Sequence, residues 1–192
     1  MTKRIIAIAL PVLFLTFSCV NKNRPEKIET KDNQEKKEQT IIENKGNEIA
    51  FANFTLQKPK DWITQQPSSQ MRLIEFVTPK SPENPVVGFY FGDRDEMVNA
   101  NIQRWRGQFA KEDAFNETEF DNGQVFVEIE GTFKLKPSPM AQQFEEAEGY
   151  KMLAAIIPSN QGPYFFKVTA PEKQMDMLKP EFLDFLKSFE QK

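Results

Sequence analysis

The chain has 192 residues, 39% of them hydrophobic and 28% charged, with a formal net charge of -3. It holds no histidine and a single cysteine, which excludes histidine-activated nucleophiles, histidine-ligated metals, thiolate zinc clusters and an internal disulfide. The mildly acidic balance argues against nucleic acid as a partner, since such binders carry a basic face.

The first residues read as an address. Lys3 and Arg4 precede a mostly apolar run from Ile5 to Ser18, interrupted by Pro11. A charged start, a short apolar stretch and a small residue before the cut form the plan of a signal peptide over 1–18. At ~1.5 Å per residue the run falls short of a ~30 Å hydrocarbon core, so a permanent membrane helix is the weaker reading. Cys19 stands where a lipoprotein cut is expected, and Leu15-Thr16-Phe17-Ser18-Cys19 resembles a bacterial lipobox, with Thr16 and Phe17 departing from the usual residues. Acylation of Cys19 would supply the two or more chains that stable anchoring requires. The competing reading is an ordinary secretory peptide with a chance cysteine.

Residues 19–48 read as a charged tether. From Val20 to Glu48 there are seven basic and seven acidic residues, no aromatic, and only four large aliphatics. Such a polyampholyte cannot bury enough apolar surface to offset chain entropy. The remaining 49–192 are expected to form one globular domain. It holds 16 basic and 21 acidic residues, so it repels phosphate backbones and anionic headgroups. The lipid, not the domain surface, is then the membrane partner.

Within the domain, Ile49–Leu56 is β-prone, and Lys58–Asp61 make a turn that tucks Trp62 onto the core. Met71–Thr78 is apolar on both faces and predicts a strand covered on both sides. A proline-rich loop precedes a strand over Val86–Phe91. Asp95–Phe109 predicts a helix, because Val98, Ile102, Trp105 and Phe109 form one stripe, with Asp93 or Asp95 as its cap. Asp121-Asn122-Gly123 signals a turn after a polar stretch. Gln124–Lys134 alternates with period two, placing Val125, Val127 and Ile129 inward and Glu128 and Glu130 outward. Leu135–Glu148 reads as a mobile loop. Tyr150–Ile157 and Tyr164–Ala170 are strands joined by a turn. Pro171–Phe189 is helical, with a kink or restart expected at Pro180. The sum is an α+β domain: a mostly antiparallel sheet of about six strands covered by helices.

Met71-Arg72-Leu73, Asn99–Phe109 with its Arg104-Trp105-Arg106-Gly107-Gln108 run, Phe165-Phe166-Lys167 and Phe182–Phe189 together resemble an uncharacterised bacterial lipoprotein family with an N-x-N-x-x-RWRGQ helix. The resemblance spans Met71 to Phe189 and implies no reaction. By general plan the domain also looks like the PsbP-type α/β/α sandwich, a fold that includes extrinsic photosystem subunits and partner-binding modules.

The candidate binding residues are Asn101, Arg104, Trp105 and Gln108. Arg104, Gln108 and Asn101 share a helix face and can grip a carboxylate, a phosphate or a partner loop. The structural alternative makes Trp105 core and pairs the arginines with neighbouring acids. Asp93, Asp95 and Glu96 lack the spacing of a calcium loop and suit helix capping better. Glu128 and Glu130 could form an acid pair, though a solvated strand face is the plainer reading. Phe89, Tyr90, Phe91, Tyr164, Phe165 and Phe166 could line a pocket or simply pack the core. The loop around Met140, with Pro137, Pro139 and Phe144, could be a binding lid or a surface insertion. No cofactor, metal or catalytic residue is expected. The reading that follows is a lipid-anchored, extracytoplasmic, non-enzymatic binding or assembly module of the bacterial cell envelope, at the outer membrane. Its partner would be an envelope protein or a small ligand. The alternatives are a carboxylate-dependent cell-envelope hydrolase and a structural surface lipoprotein with no specific ligand.

Overall fold

The computed structural model describes residues 41–51, 53–92, 96–138 and 140–192. A seven-stranded antiparallel sheet forms the centre. Its strands are β4 (Ile63–Gln65), β5 (Ile74–Thr78), β6 (Ser81–Tyr90), β7 (Phe109–Glu119), β8 (Val125–Leu135), β9 (Glu145–Ile157) and β10 (Tyr164–Pro171), in the spatial order β4-β5-β6-β10-β9-β8-β7. Helix α1 (Met97–Arg106) lies on one face and α2 (Glu172–Lys187) on the other. A small second sheet orders β1 (Ile41–Lys45), β2 (Glu48–Phe51), β3 (Phe54–Gln57) and β11 (Glu190–Gln191). The architecture is α+β, as the alternation and the two helical stripes predict, with seven strands in the main sheet rather than about six. Among the described residues no helix is long and apolar enough to cross a membrane.

The two-sided burial follows from alternation in the central strands. On the α2 face, Phe126, Leu153, Ala155, Ile157, Phe166, Val168 and Ala170 meet Met175, Leu178, Phe182, Phe185 and Leu186. On the α1 face, Val127, Ile129, Met152, Ala154, Ile156 and Phe165 meet Ile102 and Trp105. Phe165 and Phe166 thus anchor opposite layers from adjacent positions. The rings singled out in the sequence pack as core: Phe89 and Phe91 stack with centroids 6.0 Å apart, and Tyr164 stacks on Tyr90 at 4.7 Å. Trp62 is buried against Phe76 and Phe185 and donates its indole N–H to Glu181 at 3.0 Å.

Several expectations shift. Ile41–Lys45 falls within the stretch read as tether, yet it is a strand paired with β2 through a tight turn at Gly46-Asn47. Gly46 has φ +63°, the left-handed conformation that such a hairpin favours in glycine. The polar stretch before Asp121 is the edge strand β7. It lacks an apolar period because it pairs only with β8 and stands largely in solvent. Ser81–Pro85 belongs to β6 rather than to a loop. Helix α1 stops at Arg106, and Phe109 reaches the same apolar cluster from the first position of β7. β8 and β9 extend into the expected loop and leave a connection over 136–144, where Met140 and Phe144 are exposed.

Pro180 does not restart α2. The helix runs unbroken from Glu172 to Lys187 with Pro180 inside it. Pro180 is exposed, so the carbonyl it leaves unpaired faces water while the buried stripe continues on the opposite side.

Candidate cationic site on the α1 face

Asp93 and Asp95, the expected caps, and Pro139 lie outside the described residues, as does Cys19. The remaining candidates are on or beside α1. Trp105 is core: it is 1% exposed and meets the edge of Phe165 with centroids 6.1 Å apart. Asn101 is also buried. Its amide donates to the Met97 carbonyl at 2.8 Å and its oxygen accepts a short hydrogen bond from Arg104. Asn101 is therefore a brace for the Arg104 guanidinium rather than a free contact. Arg104 is exposed and lies over the Phe91 ring, 5.3 Å from its centroid. Gln108 follows the helix. Its amide N–H donates to the Arg104 carbonyl at 3.2 Å, and its oxygen accepts from Lys167 Nζ at 2.8 Å.

Lys167 is a residue that the sequence reading did not single out as a ligand. It sits on β10 in a cross-sheet row that register places on the α1 face: Gln65, Glu75, Val87, Lys167, Ala154, Val127. Val87, Ala154 and Val127 are buried, so the lysine stem rises from an apolar floor. Glu75, the one carboxylate of the row near it, stands two strands away, at ~10 Å for a spacing of about 4.8 Å per strand.

Glu75 is committed elsewhere. It is 1% exposed and accepts from the Ser68 N–H at 2.7 Å, the Ser68 hydroxyl at 2.8 Å, Gln65 at 2.8 Å and Arg72 at 2.9 Å. Burial alone would push its pKa up; the Ser68 N–H, Gln65, Arg72 and the Ser68 hydroxyl outweigh that and hold it at about 2. These bonds fold the β4–β5 connection back onto Glu75 and hold Arg72 close enough for its charge to act on Lys167.

Arg104 is linked to Lys167 through Gln108, and Arg72 acts on it through space, so three cations from separate segments share one electrostatic site. Burial, then the positive charges of Arg104 and Arg72, push the Lys167 pKa down to about 8. Among the described residues, neither Lys167 nor Arg104 has a carboxylate partner; Arg72 alone is compensated, by Glu75. Thr169, on the same face of β10, keeps a buried hydroxyl with no hydrogen-bond partner among the described residues. Met71–Leu73, Asn99–Phe109 and Phe165–Lys167 were each legible as distinct segments. The signal that would have joined them is a lysine interrupting an otherwise apolar central strand.

Arg106 does follow the structural alternative: its guanidinium makes two 2.8 Å bonds to Glu112 and lies 4.5 Å from the Phe115 centroid. The acid pair on β8 is corrected. Glu128 is not solvated but 5% exposed, facing α2, where it accepts two bonds from Lys179 at 2.9 and 2.7 Å. Lys151 lies 3.7 Å from Glu128 and 2.9 Å from Glu130, and pairs with Asp176 as well. A depression of about 400 Å³ bordered by Asp176, Lys179, Pro180 and Leu183 lies on that α2 side, apart from the cationic site. Among the described residues, no three acids or cysteines gather as a metal site.

The fold and site define an α+β sandwich with a cationic patch at the sheet-to-helix junction. The chain is similar to the solution structure of cyanobacterial PsbP from Synechocystis sp. PCC 6803, at 13% identity and a TM-score of 0.46, over 72% of this chain and 86% of that one. No protein-family model matches the sequence, and no curated protein matches it either.

Proposed function

We propose that this chain is a lipid-anchored, extracytoplasmic binding module that engages its ligand or partner through the Arg72–Lys167–Arg104 site. The observation that carries the reading is a set of three cations from three segments, two of them with no carboxylate partner among the described residues. A domain with five more acids than bases has counter-ions in plenty, so two cations with no carboxylate among the described residues favour a role in recognition over a structural one. The anchor rests on the residues before and at Cys19, and would hold the module at the envelope, where an envelope protein or small solute is the natural partner.

Two measurements test the reading. Intact-mass analysis of the mature amino terminus should find acyl chains on Cys19, absent in Cys19→Ala. A photo-crosslinking side chain at Gln103, exposed on α1, should capture a partner or ligand in intact cells, whereas one at Gln191, exposed on β11 of the small sheet, should not. Equal capture from both positions would remove the site from the proposal.

A further inference from the structure

We infer that the Arg72–Lys167–Arg104 site takes the dianionic head of a soluble phosphomonoester. The inference rests on the binding-module reading and names the ligand class of the same site. Charge sets the class. With Arg72 matched by Glu75 and no carboxylate on Lys167 or Arg104 among the described residues, these two leave two positive charges, which a phosphomonoester dianion neutralises and a single carboxylate does not. Donor geometry agrees. Among the described residues, Lys167 spends one of its three N–H donors on Gln108, and Arg104 makes one side-chain bond, to Asn101. The remaining donors come from a point-like ammonium and a planar fork, a pair suited to several oxygens of one phosphate. The buried brace of Asn101 and the ring of Phe91 hold the fork in place before a ligand arrives.

The source follows from the rest of the surface. The domain that surrounds this patch carries a net -5, which opposes approach to an anionic bilayer but not to a small solute. The groups that face Lys167 are Gln108 and Arg104 beside α1 and Arg72 from the β4–β5 connection, with non-ionising Val87 and Ala154 on the flanking strands. Lys167 is thus the group whose titration reports on the site. A bound dianion raises its pKa, so affinity falls as pH rises above about 8. A phosphomonoester also loses its second charge below ~6. Glycerol phosphate should therefore bind best between these limits, whereas sulfate, dianionic throughout, should show only the alkaline fall.

The test is calorimetric titration of the full chain with glycerol phosphate and with sulfate at low ionic strength. Wild type is compared with Lys167→Met, Arg104→Gln and the control Lys111→Gln, whose exposed lysine pairs with Asp113. Circular dichroism verifies the fold of each. Expected is a loss of at least about tenfold in both site variants, none in the control, and the two pH profiles above. No binding to folded wild type at millimolar glycerol phosphate would overturn the inference, as would equal affinity in the site variants. A separate arm presents Cys19→Ala with phosphatidylcholine vesicles containing phosphatidic acid. Lys167-dependent vesicle binding without glycerol phosphate binding would overturn the soluble source. If crosslinks from Gln103 persist while phosphate fails to bind, the binding-module reading survives and only this inference falls.

Discussion

At the residue scale, Glu75 and Lys167 both have lowered pKa values, for opposite reasons: hydrogen bonds hold the Glu75 charge, whereas burial and like charge disfavour that of Lys167. Glu75 has a folded pKa of about 2, below its unfolded value near 4.3. The unfolded chain therefore binds the proton first, and the stability Glu75 contributes is complete above ~4.3 and lost as pH falls toward 2. Glu75→Gln should flatten acid unfolding over that window when followed by circular dichroism. Lys167 has a folded pKa of about 8, below the ordinary lysine value of ~10.4. Here too the unfolded state holds more protons between the two values, so stability rises with pH from about 8 toward 10. The charged amine is tolerated by the fold rather than favoured by it. Lys167→Met should consequently unfold at equal or higher temperature than wild type at pH 7, even as it removes ligand binding. A clear fall in Tm would show that the amine stabilises the sheet. Gly131 makes a different kind of demand. Its φ of +151° lies at the β7–β8 bulge, and a Cβ there would sit 2.1 Å from the Lys111 carbonyl oxygen. Gly131→Ala should cost more than ~1 kcal/mol in urea unfolding, since the obstructing atom is backbone.

At the element scale, the two helices are held in contrasting ways. α1 is short and adheres through Ile102 and Trp105, with its polar side turned to the cationic site. α2 is longer, and its apolar stripe is supplemented by the buried charges beneath it. Lys151 and Glu128 are 6% and 7% exposed at their side chains, and Lys179 and Asp176 of α2 complete the cluster. Lys151→Ala removes the pairs to Glu130 and Asp176 but leaves Glu128 its two bonds from Lys179, so it should destabilise by roughly 1–3 kcal/mol. Chemical denaturation measures this directly, and no measurable loss would mean that the pairs to Glu130 and Asp176 do not stabilise the fold. Pro180 offers the converse. It occupies an exposed helix interior, where proline is about 3 kcal/mol worse than alanine. Pro180→Ala should raise stability by ~1–3 kcal/mol, readable as an increased urea midpoint.

At the scale of the whole molecule, the small sheet closes the fold. β11 returns the carboxy-terminal end of the chain to β3, and β1 covers the outer edge of β2. A chain beginning at residue 47 should therefore lose several °C of Tm relative to one beginning at residue 40, because β2 is left with an open edge. If Tm were unchanged, β1 would contribute nothing and the domain would begin where composition alone placed it, at residue 49. The same layered plan explains how a site arises far from any single motif. The main sheet places β5 and β10 on either side of β6, so residues about a hundred positions apart come to share one cross-sheet row.

The sequence by itself determined what depends on local order: the period-two strand β8, the strands β9 and β10, the helical stripes under α1 and α2, and the turn at Gly123. It also determined the chemical inventory, a chain without histidine and with one cysteine in a lipobox-like setting. Asn101, Arg104 and Trp105 were legible because they lie within two turns of one helix, and Gln108 because it follows that helix closely. Only the tertiary structure decided that Trp105 and Asn101 are buried supports, that Glu128 is paired beneath α2, and that Lys167 and Arg72 join Arg104. The reason is physical. Periodicity reports which face of an element is apolar, but the charge a side chain meets is set by strand order and register, which bring distant segments within a few ångströms of each other. β7 and β1 were missed for a related reason: backbone pairing holds an edge strand, and pairing leaves little trace in hydropathy.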